Sequence, residues 1–154
     1  MINEPLSRRA MLKHIGVAIG VAVGVPISTR SQARTQGLAS VGNALVSLTP
    51  AESETLRAIV ARLIPSDENG PGALEARADR FIDRALAGAL KNQRAAYTTG
   101  LAGIDAYAKS SKGAVFAKLS AGDQDSVLTD MQTNRANGFA DAIQFFGLVR
   151  THTI

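Results

Sequence analysis

No cysteine occurs among the 154 residues. That excludes disulfides, thiolate metal sites, iron–sulfur ligation and haem attached through Cys. Trp is also absent, and there are only five Phe and two Tyr. Any core must therefore be built mostly from aliphatic side chains and alanine. No stretch alternates apolar and polar residues with period two, so little or no sheet is expected. A flavin or nicotinamide site would want a glycine-rich strand-to-helix turn inside a βαβ unit. None is present, so no cofactor site is expected in this chain. Asp67 with Glu68, and Asp123 with Asp125, lack the ligand count and spacing of a calcium loop. Loop solvation and helix-dipole complementation account for them. Of the two histidines, His14 falls in the N-terminal segment and His152 is the third residue from the end. A lone histidine at a chain end is a poor catalyst or ligand and is more simply a contact to solvent or partner.

What is present begins with Ser7-Arg8-Arg9-Ala10-Met11-Leu12-Lys13. An uncharged apolar segment follows, Ile15 to Ile27, and then Ser31-Gln32-Ala33, with small residues where a signal peptidase reads. A charged start, an apolar middle and a small-residue exit form a secretory signal. The arginine pair, with Ser7 before it and Met11, Leu12 and Lys13 after it, points to the twin-arginine route. Arg30 between the apolar segment and the cleavage site fits that pattern. The apolar segment has 13 residues, short of the roughly 20 that span hydrocarbon. Cleavage is therefore expected after Ala33, with retention as an uncleaved anchor the alternative. The expected organisation is a signal over 1–33, a flexible tether over 34–47 and one helical domain over 48–154.

The formal charge of +4 comes mostly from the signal segment. Beyond residue 33, 13 basic residues stand against 12 acidic ones, so a nucleic-acid partner is not expected. Thr49-Pro50-Ala51-Glu52 combines an N-cap, a first-turn proline and a glutamate three residues after the cap. Leu56, Ile59, Val60, Leu63 and Ile64 then recur at helical spacing until Pro65 stops the helix. A second stripe joins Leu74, Ala78, Phe81, Ile82, Ala85, Leu86 and Ala89, leaving Asp79, Arg80, Asp83 and Arg84 outside it. Arg77, Arg80 and Arg84 read as a solvated basic face with Asp79 and Asp83 as internal partners. A third helix is expected over about Asn92 to Ala108, with Gly100 and Gly103 thinning a face for close approach of another helix. Ser120 caps a fourth, and a fifth carries Phe139, Ala142, Ile143, Phe146 and Val149 on one stripe. The expected fold class is all-α, about five helices in a small orthogonal or bundle-like domain.

From Leu48 onward the order of these marks resembles the gluconate 2-dehydrogenase subunit 3 family. The matching residues are Leu48-Thr49-Pro50-Ala51-Glu52, Leu63-Ile64-Pro65, Pro71-Gly72-Ala73, Phe81-Ile82-Asp83 and Phe116-Ala117-Lys118-Leu119. Phe145-Phe146, Leu148-Val149-Arg150 and Thr151-His152-Thr153 complete the series. The resemblance implies a non-catalytic small subunit. Its partners would be a large FAD-carrying flavoprotein that oxidises sugars, sugar acids or polyols, and often a membrane-bound cytochrome c. With the twin-arginine signal it implies export by the twin-arginine machinery and a place in the periplasm, at the outer face of the inner membrane. Members of the family usually continue beyond the position of Ile154 with a glycine- and aromatic-rich tail.

The last helix supplies the candidate partner interface. Adjacent helical residues point about 100° apart, so one of Phe145 and Phe146 can fill the core while the other faces a partner. The stripe assigns Phe146 inward and places Phe145 with Leu148 on an exposed apolar strip; both rings in the core is the other reading. Arg150 and His152 extend this candidate interface. Two other function classes stay open: an independent exported enzyme using a carboxylate such as Asp67 or Asp83, and a helical adaptor for another membrane assembly.

Overall fold

The structure, a computed structural model, describes residues 44–68 and 70–154. The signal motif, Ser7, Arg8, Arg9, Met11, Leu12 and Lys13, lies outside the described residues, as does most of the expected tether. Five α-helices follow in order: α1 Pro50–Leu63, α2 Ala78–Ala87, α3 Arg94–Lys112, α4 Ala121–Gln132 and α5 Ala142–Thr153. Short 3-10 turns at Lys91–Gln93 and Phe116–Lys118 lead into α3 and α4. Among the described residues there is no strand, only a single bridge between Asp67 and Gly70. The domain is all-α. No described helix is long and apolar enough to cross a membrane.

Helix α1 starts where its capping chemistry places it. The Thr49 hydroxyl accepts from the Glu52 amide, and the Thr49 amide donates to Glu52 Oε2 at 2.8 Å. Two otherwise orphaned N–H groups are thereby satisfied. The helix ends at Leu63, before Pro65. Ser120 caps α4 in the same manner, accepting from Asp123 N–H. Helix α2 begins later than its apolar pattern, because Arg77 at its N-cap is left-handed, with φ 62°. Residues 73–77 form turns instead.

Helices α1 and α5 are the hubs, each packed against all four of the others. Leu56, Ile59 and Val60 of α1, Ile82 and Leu86 of α2, and Tyr97, Leu101 and Ile104 of α3 fill the core with Val127, Met131, Phe145 and Val149. Asp105 ties three pieces together: Oδ2 accepts from the Thr55 hydroxyl on α1, and Oδ1 accepts from Phe116 N–H. Arg62 and Asp125 join α1 to α4 through two hydrogen bonds of 2.7 and 2.6 Å.

Two inward faces differ from the sequence pattern. On α2 the buried set is Asp79, Ile82, Asp83 and Leu86, while Phe81 is 63 % exposed. The helix is rotated so that a carboxylate takes the place an aromatic ring was expected to hold. On α5, Phe145 is 4 % exposed and Ile143 is 43 % exposed, with Phe146 half-buried. The expected assignment of the two rings is reversed. The reason lies in α3: Gly100 and Gly103 face α5, where added Cβ atoms would collide with the rings of Phe145 and Phe139. The two glycines let α5 approach α3 closely, and Phe145 lies in that gap. A helix apolar on two sides is central to its bundle or shared with a partner; α5 is central.

Candidate functional site

Asp83 is buried and accepts three backbone hydrogen bonds. Oδ1 accepts from the amides of Ser47 and Leu48 at 2.9 and 2.8 Å, and Oδ2 accepts from Val46 N–H at 2.8 Å. Burial alone would raise its pKa, but the three backbone donors and the nearby Arg80 charge hold it below the ordinary carboxylate range. The side chain is therefore a clamp on the bent entry to α1, so the end of the expected tether, Val46 and Ser47, is fastened to the domain. Arg94 reinforces the same entry. Its Nη2 donates to Ser47 O at 3.1 Å and to Glu52 Oε2 at 2.7 Å, while Nη1 donates to Glu52 Oε1 at 2.9 Å. This fork-on-carboxylate geometry is the strong form of an Arg–Glu pair.

The second polar feature is the pair Tyr97 and His152. The Tyr97 hydroxyl lies 2.9 Å from His152 Nδ1, and the two rings stack at 5.9 Å. Tyr97 is fully buried, and burial pushes its pKa up, so its proton stays in place. Burial also lowers the His152 pKa, which favours the neutral ring; which partner donates follows from its tautomer. His152 is thus fixed by the core at one edge rather than standing as a loose terminal residue.

The four residues of the candidate interface do not share one surface. Phe145 and Leu148 line an apolar groove of about 440 Å³ between α3 and α5, along with Ala96, Thr99 and Gln144. Phe145 meets it only with the edge of a buried ring. Arg150 is exposed and borders a smaller cleft with Leu63 and Phe146. His152 borders a third and larger groove, about 1,020 Å³, whose other wall is α2. Facing His152 there are Arg77, Arg80, Phe81 and Arg84. Sequence reasoning did not pick out the Asp83 clamp or the pairing of Tyr97 with His152. The spacing Asp79, Ile82, Asp83, Leu86 is itself a helical stripe, and that was the available signal for the first.

Among the described residues no three of His, Asp and Glu gather as a metal-ligand set. Of the carboxylates the enzymic reading would use, Asp83 holds three backbone amides, and Asp67 is an exposed residue whose backbone forms the bridge with Gly70.

The sequence model of the family described as Gluconate 2-dehydrogenase subunit 3 matches residues 50–154. The chain belongs to that family. The match spans α1 through the end of α5, so the subunit 3 domain and the five-helix fold coincide. No curated protein and no solved structure matches the chain.

Proposed function

We propose that this chain is the non-catalytic small subunit of a flavin-dependent sugar, sugar-acid or polyol dehydrogenase complex. In this reading FAD resides in the large flavoprotein partner, and a membrane-bound cytochrome c subunit takes the electrons. The small subunit stabilises the flavoprotein and carries it through the twin-arginine machinery to the periplasm, at the outer face of the inner membrane. The observation that carries the reading is family membership over residues 50–154. It is supported by the engagement of Asp83 with three backbone amides, which buries the carboxylate and holds its pKa below the ordinary range, away from what general acid–base work near neutral pH needs. The export half rests on Arg8 and Arg9. Changing both to lysine and following the flavoprotein tests it directly. Loss of periplasmic flavoprotein is the expected result; undiminished delivery would end the escort role.

A further inference from the structure

Three asparagines lie among the described residues, Asn92, Asn134 and Asn137. The fold treats the peptide that follows each of them differently. After Asn92, the amide of Gln93 donates to Leu90 O at 2.8 Å. After Asn134, the amide of Arg135 donates to Asp130 O at 2.7 Å. After Asn137, the amide of Gly138 has no acceptor among the described residues. Asn137 and Gly138 are both exposed, in the turn between α4 and α5. Gly138 has φ 86°, and a Cβ added there would meet nothing within 4 Å. The turn is closed by Phe139 N–H, which donates to Ala136 O at 3.1 Å. A positive φ at the third of four residues is the type II arrangement, which glycine adopts without strain. The residues on either side are anchors: Ala136 and Phe139 are buried. The Phe139 ring lies against Gly103 of α3 and 6.2 Å from the ring of Phe145.

From this we propose that Asn137 is a site of spontaneous covalent modification, converted through a succinimide with Gly138 to a mixture of aspartate and isoaspartate, and that the isoaspartate form loosens the contact of α5 with α3. Water and base are the only co-reactants. Hydroxide takes the proton of the Gly138 amide, and the nitrogen attacks Asn137 Cγ. A C–N bond forms, the Cγ–Nδ2 bond breaks, and ammonia leaves with the transferred proton. Water then opens the five-membered ring. Cleavage at Cγ leaves an aspartate in the ordinary chain; cleavage at the Asn137 backbone carbonyl leaves an isoaspartate, with the chain running through the former side chain. The sum is amide plus water to carboxylate plus ammonium, with no change of oxidation state. Two features make Asn137 the reactive one of the three. Its neighbour has no Cβ to crowd the closing ring. That neighbour's N–H is also open to base, whereas an amide held by an internal carbonyl is shielded from solvent and fixed in place. The products differ in what they do to the fold. Aspartate keeps the length of the turn at an exposed position. Isoaspartate puts one more carbon into the chain between two buried anchors. The turn hydrogen bond and the seat of Phe139 on Gly103 cannot both survive that insertion. The step needs no partner and is independent of the accessory-subunit reading.

The test uses the purified chain, held folded in mildly alkaline buffer made with heavy-oxygen water and sampled over time. Trypsin separates Asn134, in the peptide 119–135, from Asn137, in the peptide 136–150. Mass spectrometry reads the loss of the amide and the uptake of heavy oxygen, and enzymatic methylation of isoaspartyl carboxylates distinguishes the two products. Asn137 should convert at least about tenfold faster than Asn134, a barrier difference of roughly 1.4 kcal/mol, and should yield both products. Asn137→Gln, whose longer side chain disfavours ring closure, should abolish label in the 136–150 peptide. The fraction of wild type enriched in isoaspartate should unfold at a lower Tm, while Asn137→Asp, which carries the charge without the extra chain atom, should keep the wild-type Tm. Conversion of Asn137 no faster than that of Asn134, or aspartate formed with no isoaspartate, would overturn the succinimide route. Label persisting in the Asn137→Gln peptide would place the reaction elsewhere and overturn the site. An isoaspartate fraction that melts with the wild type would overturn the link to α3.

Discussion

The ring of Phe145 occupies the space that a side chain at Gly100 would need. The helix α3 backbone is bare there, and the ring from α5 covers it, while Tyr97 meets the same ring edge-to-face at 5.8 Å. Gly100→Ala must therefore push α5 outward or force Phe145 from its rotamer. Overpacking of this kind costs about 1–3 kcal/mol, against the gain of up to about 1 kcal/mol that alanine brings to a helix interior. Net destabilisation is expected, read as a lower denaturation midpoint at unchanged m-value. A stabilised Gly100→Ala protein would show that the two helices have room to spare.

The neighbouring rings on α5 give a second expectation. Phe145→Ala empties a buried site and should cost about 3–5 kcal/mol. Phe146, half-buried beside Leu63, should cost less when truncated. Thermal unfolding of both variants ranks them. Equal losses would mean that Phe146 is as deeply packed as Phe145. The outcome bears on function: with Phe145 in the core, the apolar breadth of α5 is explained by its hub position and is no sign of a partner.

Asp83 yields a third. Asn is nearly isosteric, but its amide presents N–H to one of the three backbone donors and removes the charge. Hydrogen bonds to a charged acceptor contribute about 1.5–3 kcal/mol each, and Asp83→Asn should cost at least one of them. The pH dependence has a definite sign. The folded pKa lies below the ordinary value of 3.8, so the folded state binds fewer protons than the unfolded chain in that range. The stabilisation is present above pH about 4 and is lost as pH falls through the folded pKa. Comparing acid unfolding of wild type and Asp83→Asn checks this; the two profiles should converge at low pH. Persistent separation there would mean that the carboxylate stabilises the fold without its charge.

How much of this was legible in the sequence depends on what each signal encodes. The bounds of α1 follow from local chemistry, the Thr49–Glu52 capping box and Pro65, and the structure reproduces them. Gly100 and Gly103 marked a close helix approach, and α5 fills it. The inward faces of α2 and α5 were less legible, because periodicity fixes a stripe only to within one residue when apolar side chains surround the helix. Hydropathy placed Phe81 inside and Asp83 outside. Three amides more than 30 residues away in sequence reverse that, and no local pattern announces a long-range acceptor.

The contact between Tyr97 and His152 gives the last expectation. Tyr97 is fully buried and its pKa is raised, so the hydroxyl keeps its proton and can donate to Nδ1 only while that nitrogen carries none; in the other tautomer it accepts. Protonating His152 makes Nδ1 a donor to the hydroxyl at that 2.9 Å contact and places a charge at a half-buried site. Burial accordingly lowers the folded pKa below the ordinary 6.5. Between those two values the unfolded chain binds more protons than the folded one, so stability rises with pH. The loss begins as pH falls through about 6.5 and is complete once pH is below the folded pKa. The double variant Tyr97→Phe, His152→Phe removes the titrating group without stranding the hydroxyl. The difference in unfolding free energy between wild type and this variant should be flat above pH 7 and should tilt against the wild type from pH 7 to about 5. The His152 ring proton, followed by NMR, should titrate below 6.5 over the same window. A flat difference together with an ordinary titration would show that the imidazole is solvated, and that the ring stacks on Tyr97 without depending on its proton.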